Sequence, residues 1–397
     1  MHREDFNILS SGIIYFDNGA TTLKPKMLGE AISDYYNNYS SNAHRGDYTL
    51  SIKASQKYEE TRYLVKDLIN ARKVSEIAFT SGSTDSINKI VFGYFANKLK
   101  EGDEVLLTKS EHASNLLPWF ELADKLNLKI KYIELNDNHE VLMTNVEKAI
   151  SSKTKVISIA HVSNVVGDVR PIKEIVKLAH SKGILVLIDG AQSVPHLKVD
   201  VQDLDIDFLA FSAHKMCGPT GVGVLYGKEE LLNDIEPIIF GGGMNADFST
   251  DGRRIYKMMP DRLEAGTPNI AGVIGFGYVI KYLMDIGFDN IHKYEIELKN
   301  YLVKRLKEIP EITIYNANSE SGIVTINYDG IFPQDLSIYL DKFNICTRAG
   351  NHCAKILKDE IHIKNTCRIS LYFYNSKEEI DKLIEVLKNP NIKKEII

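Results

Sequence analysis

Short apolar runs rich in β-branched residues recur along the first part of the chain, at Glu76–Thr80, Glu104–Thr108, Lys129–Glu134, Lys155–Ala160, Ile184–Ile188, Asp207–Phe211 and Val222–Tyr226. Each has the length of a buried strand. Most are separated by stretches with helical spacing, among them Ser83–Lys98, Asn115–Asn127 and Pro171–Ser181, the last with a proline suited to a first helical turn. Strand and helix in alternation predict an α/β fold around a doubly wound sheet of seven mostly parallel strands. Between Phe240 and Thr267 the periodicity lapses around Gly241-Gly242-Gly243 and a polar, arginine-bearing stretch. A loop of that length is usually functional or disordered. Helical spacing returns at Asn269–Ile286 and Asp289–Glu308, and strand-like runs follow at Glu311–Tyr315, Gly322–Asn327, Asn344–Thr347 and Arg368–Phe373. They predict a smaller α+β unit. The expected division is a large domain over 15–267 and a small C-terminal domain over 268–397 that also takes in 1–14.

Composition narrows the classes. Of 397 residues, 44% are hydrophobic and 25% charged, an ordinary globular balance that leaves no room for long disorder or a fibrous repeat. The net charge of -5 gives no basic surface in bulk, so nucleic acid is not an expected partner. Cys217, Cys346, Cys353 and Cys367 have no CxxC spacing, so neither a zinc site nor a dithiol motif is expected. Four unpatterned cysteines suit a reducing compartment. The first residues, Met1-His-Arg-Glu-Asp-Phe6, have no apolar signal core, and the greasiest stretch, Ala271–Ile280, is broken by glycines and far below the ~20 residues of a membrane span. A cytoplasmic protein with no membrane contact is expected.

Ligands of open α/β sheets bind beyond the carboxyl ends of the strands, so polar residues just after each run carry the most information. Ser81-Gly82-Ser83-Thr84 follows the first, His161-Val-Ser-Asn164 the fourth, Asp189-Gly-Ala-Gln192 the fifth and Ser212-Ala-His-Lys215 the sixth. Hydroxyls and free N–H groups at a helix start can cradle a dianionic phosphate, and they can equally be an N-cap. A lone lysine at a strand end is usually solvated, and a lone aspartate there usually caps a helix. Gathered at one sheet edge they suit pyridoxal 5'-phosphate, which needs an amine for its aldehyde, a carboxylate to hold its ring nitrogen protonated and a cup for its phosphate. Neither a Walker A nor a GxGxxG sequence is present to favour a nucleotide.

The stretch Asp207-Phe-Leu-Ala-Phe-Ser-Ala-His-Lys215 with Asp189-Gly-Ala-Gln192 resembles class V aminotransferase-fold pyridoxal phosphate enzymes, and more narrowly the group II, Suf-type cysteine desulfurases. Asn42-Ala-His-Arg-Gly46, Glu111-His-Ala-Ser-Asn115, Ala265-Gly-Thr-Pro268 and Arg348-Ala-Gly-Asn-His-Cys-Ala354 support the likeness, which runs from about Tyr15 to Asp381. It implies the pyridoxal phosphate-dependent transferase fold, fold type I. It also implies that Lys215 bonds the cofactor's aldehyde, Asp189 pairs with its ring nitrogen and His112 stacks on its face. Asn164 and Gln192 would reach its phenolic oxygen side, and Ser83, Thr84, Ser212 and His214 its phosphate. Thr267 would reach the phosphate of a second copy, which implies a homodimer. Arg368 would clamp the substrate carboxylate, with His44, Arg348 and Asn164 as further substrate contacts.

By the same resemblance Cys353 is the nucleophile, set among polar, turn-forming residues that suit an exposed loop, with cationic neighbours that favour a thiolate. The implied reaction converts L-cysteine to L-alanine. The amine of Lys215 removes the α-proton, and the Cys353 thiolate takes the sulfur as a persulfide and hands it to an acceptor protein, for iron-sulfur cluster assembly or related sulfur transfer. Two departures stand near the nucleophile: Asn351 where a histidine is common, and Lys355-Ile356 where a proline is usual. Ala113 likewise replaces a second histidine after His112. Selenocysteine lyase and cysteine sulfinate desulfinase activities would use the same site, an aminotransferase would need no loop cysteine, and a non-catalytic sulfur-transfer scaffold is the alternative from another class.

Overall fold

The structure is a computed structural model that describes residues 2–360 and 365–396. The first strand, β1 (Ile14–Tyr15), is followed by α1 (Lys26–Asn38) and α2 (Thr49–Leu68). Then come β2 (Ile77–Thr80), α3 (Ser83–Gly93), β3 (Glu104–Thr108), α4 (Leu117–Leu126), β4 (Lys129–Ile133), α5 (Met143–Ala149), β5 (Thr154–Ala160), α6 (Ile172–His180), β6 (Leu185–Asp189), β7 (Phe208–Ser212) and β8 (Gly223–Gly227). All seven expected runs are strands of one sheet, in the order β2-β8-β7-β6-β5-β3-β4. Only β8 runs antiparallel to its neighbours.

Both faces of that sheet are covered, and this is why its strands read as nearly unbroken apolar runs. Ile77, Phe79, Leu106 and Ile157 point into one core. Ala78, Val105, Leu107 and Val156 point into the other, which contains Trp119 and Phe208. Side chains that alternate between faces while staying apolar on both are the signature of a central parallel sheet.

After α7 (Glu229–Leu232), the expected irregular segment contains an antiparallel hairpin, β9 (Asn245–Phe248) with β10 (Arg254–Tyr256). The remainder comprises α8 (Ile270–Ile286), α9 (Phe288–Leu306), β11 (Ile312–Tyr315), β12 (Ile323–Tyr328), α10 (Pro333–Asp341), β13 (Ile345–Cys346), β14 (Arg348–Gly350), α11 (Lys355–Glu360), β15 (Thr366–Ser370), α12 (Lys377–Leu387) and α13 (Ile392–Glu395). Strands β11-β12-β15-β14 form a four-stranded sheet, while β13 pairs with β1. Among the described residues no single helix is long and apolar enough to cross a membrane.

The expected boundary at 267/268 is corrected by the packing. Helix α8 is apolar around most of its circumference, so it must be enclosed, and it lies against α1 and α2 as part of the large core. That core runs on through Ile286 and Ile291, and the second core takes over along α9 from Leu298. Residues 1–14 also divide: Phe6 and Leu9 pack into the large core, Phe6 against Phe373 and Tyr374, while Ile14 packs against the second.

Candidate active site

A cavity of about 410 Å³ opens at the carboxyl ends of β2, β5, β6 and β7. Asp189 is the last residue of β6, and Lys215 lies three residues beyond the end of its parallel neighbour β7, so sheet pairing alone brings carboxylate and amine to one cavity. Asp189 is buried; one of its oxygens accepts from the Ala191 N–H at 3.0 Å, and the other has no partner among the described residues. Burial raises its pKa against the pull of Lys215. The Lys215 amine is pushed down to about 8 by burial, against the opposing effect of Asp189, and Arg368 and Arg348 lower it further. An amine held this low reaches its nucleophilic neutral form near physiological pH.

The backbone that carries Lys215 is anchored from the N-terminal segment. The carbonyl of His214 accepts from Lys24 Nζ at 2.7 Å, Thr21 Oγ1 at 3.0 Å and both Thr22 N and Oγ1 at 3.1 Å. Burial and Lys215 push the His214 imidazole down to about 4, so it stands neutral. Beyond β2, Ser83 N–H donates to Ser212 Oγ at 2.8 Å, whose hydroxyl donates to Ser83 Oγ at 3.0 Å; Thr84 Oγ1 meets Ser114 Oγ at 2.7 Å. These hydroxyls ring the N-terminus of the eleven-residue α3, where the helix dipole favours an anion. The cup requires a glycine opposite it, since a Cβ at Gly223 of β8 would lie 2.4 Å from Gly82 Cα.

His112 lies on the cavity wall, where burial and then Lys215 push it down to about 4. The Ser114 N–H donates to its Nδ1 at 3.1 Å, which places the ring proton on Nε2. Behind it, Glu111 and Arg170 form a fully buried pair 2.5 Å apart, with further hydrogen bonds to Ser110, Thr108, Asn115 and the Ala160 backbone. This network holds the His112 turn against the end of β5.

Opposite the strands, β14 and β15 bring Arg348 and Arg368 to the same cavity. Arg368 is buried, and it donates from Nη1 to Asn164 O and from Nη2 to Asp17 Oδ1, both at 3.0 Å, leaving Nε unpartnered among the described residues. Its guanidinium occupies the space above Gly19, where a Cβ would stand 3.0 Å from Cζ. Cys353 follows β14, directly after the cavity-lining His352, and is exposed, with φ of 57° after His352 at 54°. Two consecutive side-chain-bearing residues in the left-handed region are strained. Hydrogen bonds from outside the loop hold them: Ala113 N–H to Cys353 O at 2.8 Å and Asn164 Nδ2 to His352 O at 2.8 Å.

A family model described as aminotransferase class-V matches residues 14–383. The chain belongs to the class V aminotransferase family. A Halalkalibacterium halodurans protein described as a probable cysteine desulfurase is 44% identical, covering 97% of this chain and 94% of its own. The apo structure of a Thermococcus onnurineus cysteine desulfurase superposes with a TM-score of 0.93 at 40% identity, over 97% of this chain and 96% of that one. The Escherichia coli cysteine desulfurase CsdA in its S-sulfonic acid form gives 0.92 at 34% identity, over the same shares. The fold expected from the sequence, type I of the pyridoxal phosphate-dependent transferases, is the fold found.

In this class V aminotransferase chain the donor set fits pyridoxal 5'-phosphate: a low-lying amine, a buried carboxylate with one open oxygen, and a hydroxyl-lined helix start on one cavity. Ser83, Thr84, His112, Asn164, Asp189, Gln192, Ser212, His214, Lys215, Arg348 and Arg368 all line it. Asn164 and Gln192 each commit one amide N–H to the backbone, Gln192 donating to Gly19 O at 2.7 Å. His44 does not line the cavity of its own chain; its Nε2 pairs with Glu59 at 3.2 Å, because the turn before α2 faces that helix. Thr267 also lies outside, accepting from Asn42 Nδ2 at 3.3 Å, beside an adjoining cavity that shares Ser81, Thr84 and Asp85 with the first. Sequence reading missed the contribution of Asp17, Gly19 and the Thr21–Lys24 turn. The signal was available, since Asp17-Asn-Gly-Ala-Thr-Thr22 is a polar run directly after the apolar Ile13–Phe16. His352 was quoted only as a flank of Cys353, and it too lines the cavity.

Proposed function

We propose that the cavity between Lys215 and Asp189 holds pyridoxal 5'-phosphate and that the exposed Cys353 receives the sulfur of L-cysteine. The chain is a pyridoxal phosphate-dependent cysteine desulfurase, an enzyme that converts L-cysteine to L-alanine. The observation that carries the assignment of roles is the convergence of the depressed Lys215 amine and the buried Asp189 on one cavity, with the exposed Cys353 next in sequence to its lining residue His352. When bound, the cofactor supplies an aldehyde and a ring that accepts an electron pair.

The chain's own groups do the rest. Asp189 holds a proton-bearing nitrogen at its open oxygen. Neutral Lys215 Nζ takes the proton from the substrate α-carbon and returns one at the end, a task for which an amine near 8 is well matched. Arg368 and Arg348 hold the carboxylate, and His112 Nε2–H faces the cavity as a neutral donor. The Cys353 thiolate attacks the substrate sulfur; a sulfur–sulfur bond forms as the carbon–sulfur bond breaks, the β-carbon keeps that bond's electron pair and takes up a proton, and the skeleton leaves as L-alanine once its α-carbon is reprotonated, with Cys353 left as a persulfide. The site belongs to the Suf-type branch, its cysteine loop delivers the persulfide sulfur to an acceptor protein for sulfur transfer such as iron-sulfur cluster assembly, and the reducing cytoplasm keeps the exposed thiol free.

The working form is a homodimer. Phe240, Phe248, Ile255 and Met258 expose large apolar surface on and beside the β9–β10 hairpin, and a second copy would cover it. Covering it would bring Thr267 and His44, both outside their own cavity, toward the neighbouring one. The test of the proposal is Cys353→Ser: alanine and sulfur release from L-cysteine falls more than a hundredfold, while the visible absorption band of the bound cofactor stays. Unchanged release from L-cysteine refutes the role of Cys353, and faster turnover of selenocysteine or cysteine sulfinate than of L-cysteine by the unmutated chain would reassign the substrate.

A further inference from the structure

Folding takes the Arg368 guanidinium out of water: the residue is only 2% exposed, burial works against its charge, and Asp17 is the first group that favours it. Among the described residues Asp17 is the only carboxylate within salt-bridge distance, its Oδ1 accepting from Nη2 at 3.0 Å. A guanidinium carries five N–H groups in a rigid plane. Here Asp17 Oδ1 takes one and Asn164 O another, from Nη1 at 3.0 Å, while Nε has no partner among the described residues. Two contacts fix the plane; with one, it can swing. Gly19 lies directly beneath Cζ, so no side chain fences the group on that face.

Asp17 is itself held in place. It makes a parallel bridge with Ser370, two residues beyond Arg368 on β15. The Phe16 carbonyl accepts from Ser370 N at 2.7 Å and from its Oγ at 3.0 Å, and that Oγ accepts from the Gly19 N–H at 2.8 Å. Arginine and carboxylate therefore belong to one hydrogen-bonded unit. The same short segment continues to the large domain, where Gly19 O accepts from Gln192 and the Thr21–Lys24 turn grips the His214 carbonyl beside Lys215. Asp17 does not line the cavity that Arg368 lines, so its grip takes no space from a ligand. Its carboxylate is partly exposed, so water screens its charge and leaves the geometry of the hydrogen bond as its main effect.

We propose that Asp17 is the positioning residue of the substrate-carboxylate clamp: its Oδ1 fixes the plane of the Arg368 guanidinium and thereby gives the cavity its preference for amino acids over amines that lack a carboxylate. An arginine fork discriminates only when it is held in register with the group it meets. This rests on the functional reading above and adds to it the residue that aligns the clamp.

The test is calorimetric titration of the full-length cofactor-loaded chain with L-alanine and with ethylamine, which is L-alanine without its carboxylate. The unmutated chain is expected to bind L-alanine more tightly. In Asp17→Ala that preference falls about tenfold, the worth of a hydrogen bond to a charged group, and the fall comes from L-alanine alone. Asp17→Asn keeps an oxygen acceptor and turns its NH2 to water, so its preference stays within about threefold of the unmutated chain. In turnover, Asp17→Ala raises KM for L-cysteine more than it lowers kcat. An unchanged or increased preference in Asp17→Ala, an equal loss of both ligands, or an Asp17→Asn chain as indiscriminate as Asp17→Ala overturns the proposal. If Asp17→Ala does not fold, Asp17→Ser, whose hydroxyl stops one bond short of the guanidinium, carries the same expectations and the same refutations. An unmutated chain that binds neither L-alanine nor ethylamine overturns the functional reading and this inference with it, whereas a preference that survives in Asp17→Ala overturns this inference alone.

Discussion

Replacing Lys215 with methionine removes both the amine and its electrostatic cost. The amine falls from its ordinary 10.5 to about 8, chiefly because burial disfavours the ammonium. Each unit corresponds to about 1.4 kcal/mol, so the folded cofactor-free chain gives up about 3 kcal/mol to keep this lysine charged. The cavity admits water, which makes that an upper value. The unfolded chain binds more protons than the folded one between pH 8 and 10.5, so the cost is fully present below 8 and fades as pH rises through that window. The expected outcome is a cofactor-free Lys215→Met chain that is more stable than the unmutated one by up to about 3 kcal/mol at pH 7. The gap should close toward pH 10.5, while turnover of L-cysteine is abolished. Urea unfolding of both chains at several pH values measures it, and the difference between them cancels the titrating groups that Lys215 does not touch, leaving its neighbours Asp189, His112 and His214 as the groups it also perturbs. A gap that stays constant from pH 7 to 10.5, or one that widens, refutes the reasoning, because the amine would then be titrating as a solvated lysine.

Two other perturbations bear on the cup and on the assembly. Gly223→Ala sets a methyl group 2.4 Å from Gly82 Cα, so backbone must move and pyridoxal phosphate affinity should fall at least tenfold in a spectroscopic titration; an unchanged affinity would mean the phosphate binds elsewhere. Phe248→Asp puts a charge on a side chain that is 73% exposed in the single chain; sedimentation should report a shift from dimer to monomer together with loss of turnover. A variant that stays dimeric with full activity removes the hairpin from the interface.

Local patterning made much of this molecule legible. Most strands of the large sheet were readable because a strand buried on both faces is nearly apolar throughout, whatever it pairs with, while edge strand β4 was readable from the alternation of exposed Lys129 and Lys131 with apolar residues. The site residues were readable because they cluster just beyond those strands, as at Asp189 and Lys215. The α8 assignment failed for the complementary reason. A helix that is apolar on nearly every side must be buried somewhere, but its composition does not say between which neighbours, and α1 and α2 claimed it for the large core. His44 was placed with the substrate from its motif, yet its ring turns to Glu59 one helix away.

By itself, then, the chain's order of residues determined which segments become strands and helices, and which chemical groups stand at the strand ends, since both depend on neighbours a few positions apart. Tertiary structure alone decided which of those groups meet. β1 finds β13 across more than three hundred residues, and Asp17 finds Arg368. Lys358, which any reading of charge along the sequence would leave in water, is drawn inside to Thr366 and His352. Such pairings follow from how the two cores close on each other, because the desolvation that makes each contact matter exists only after the chain has folded around it.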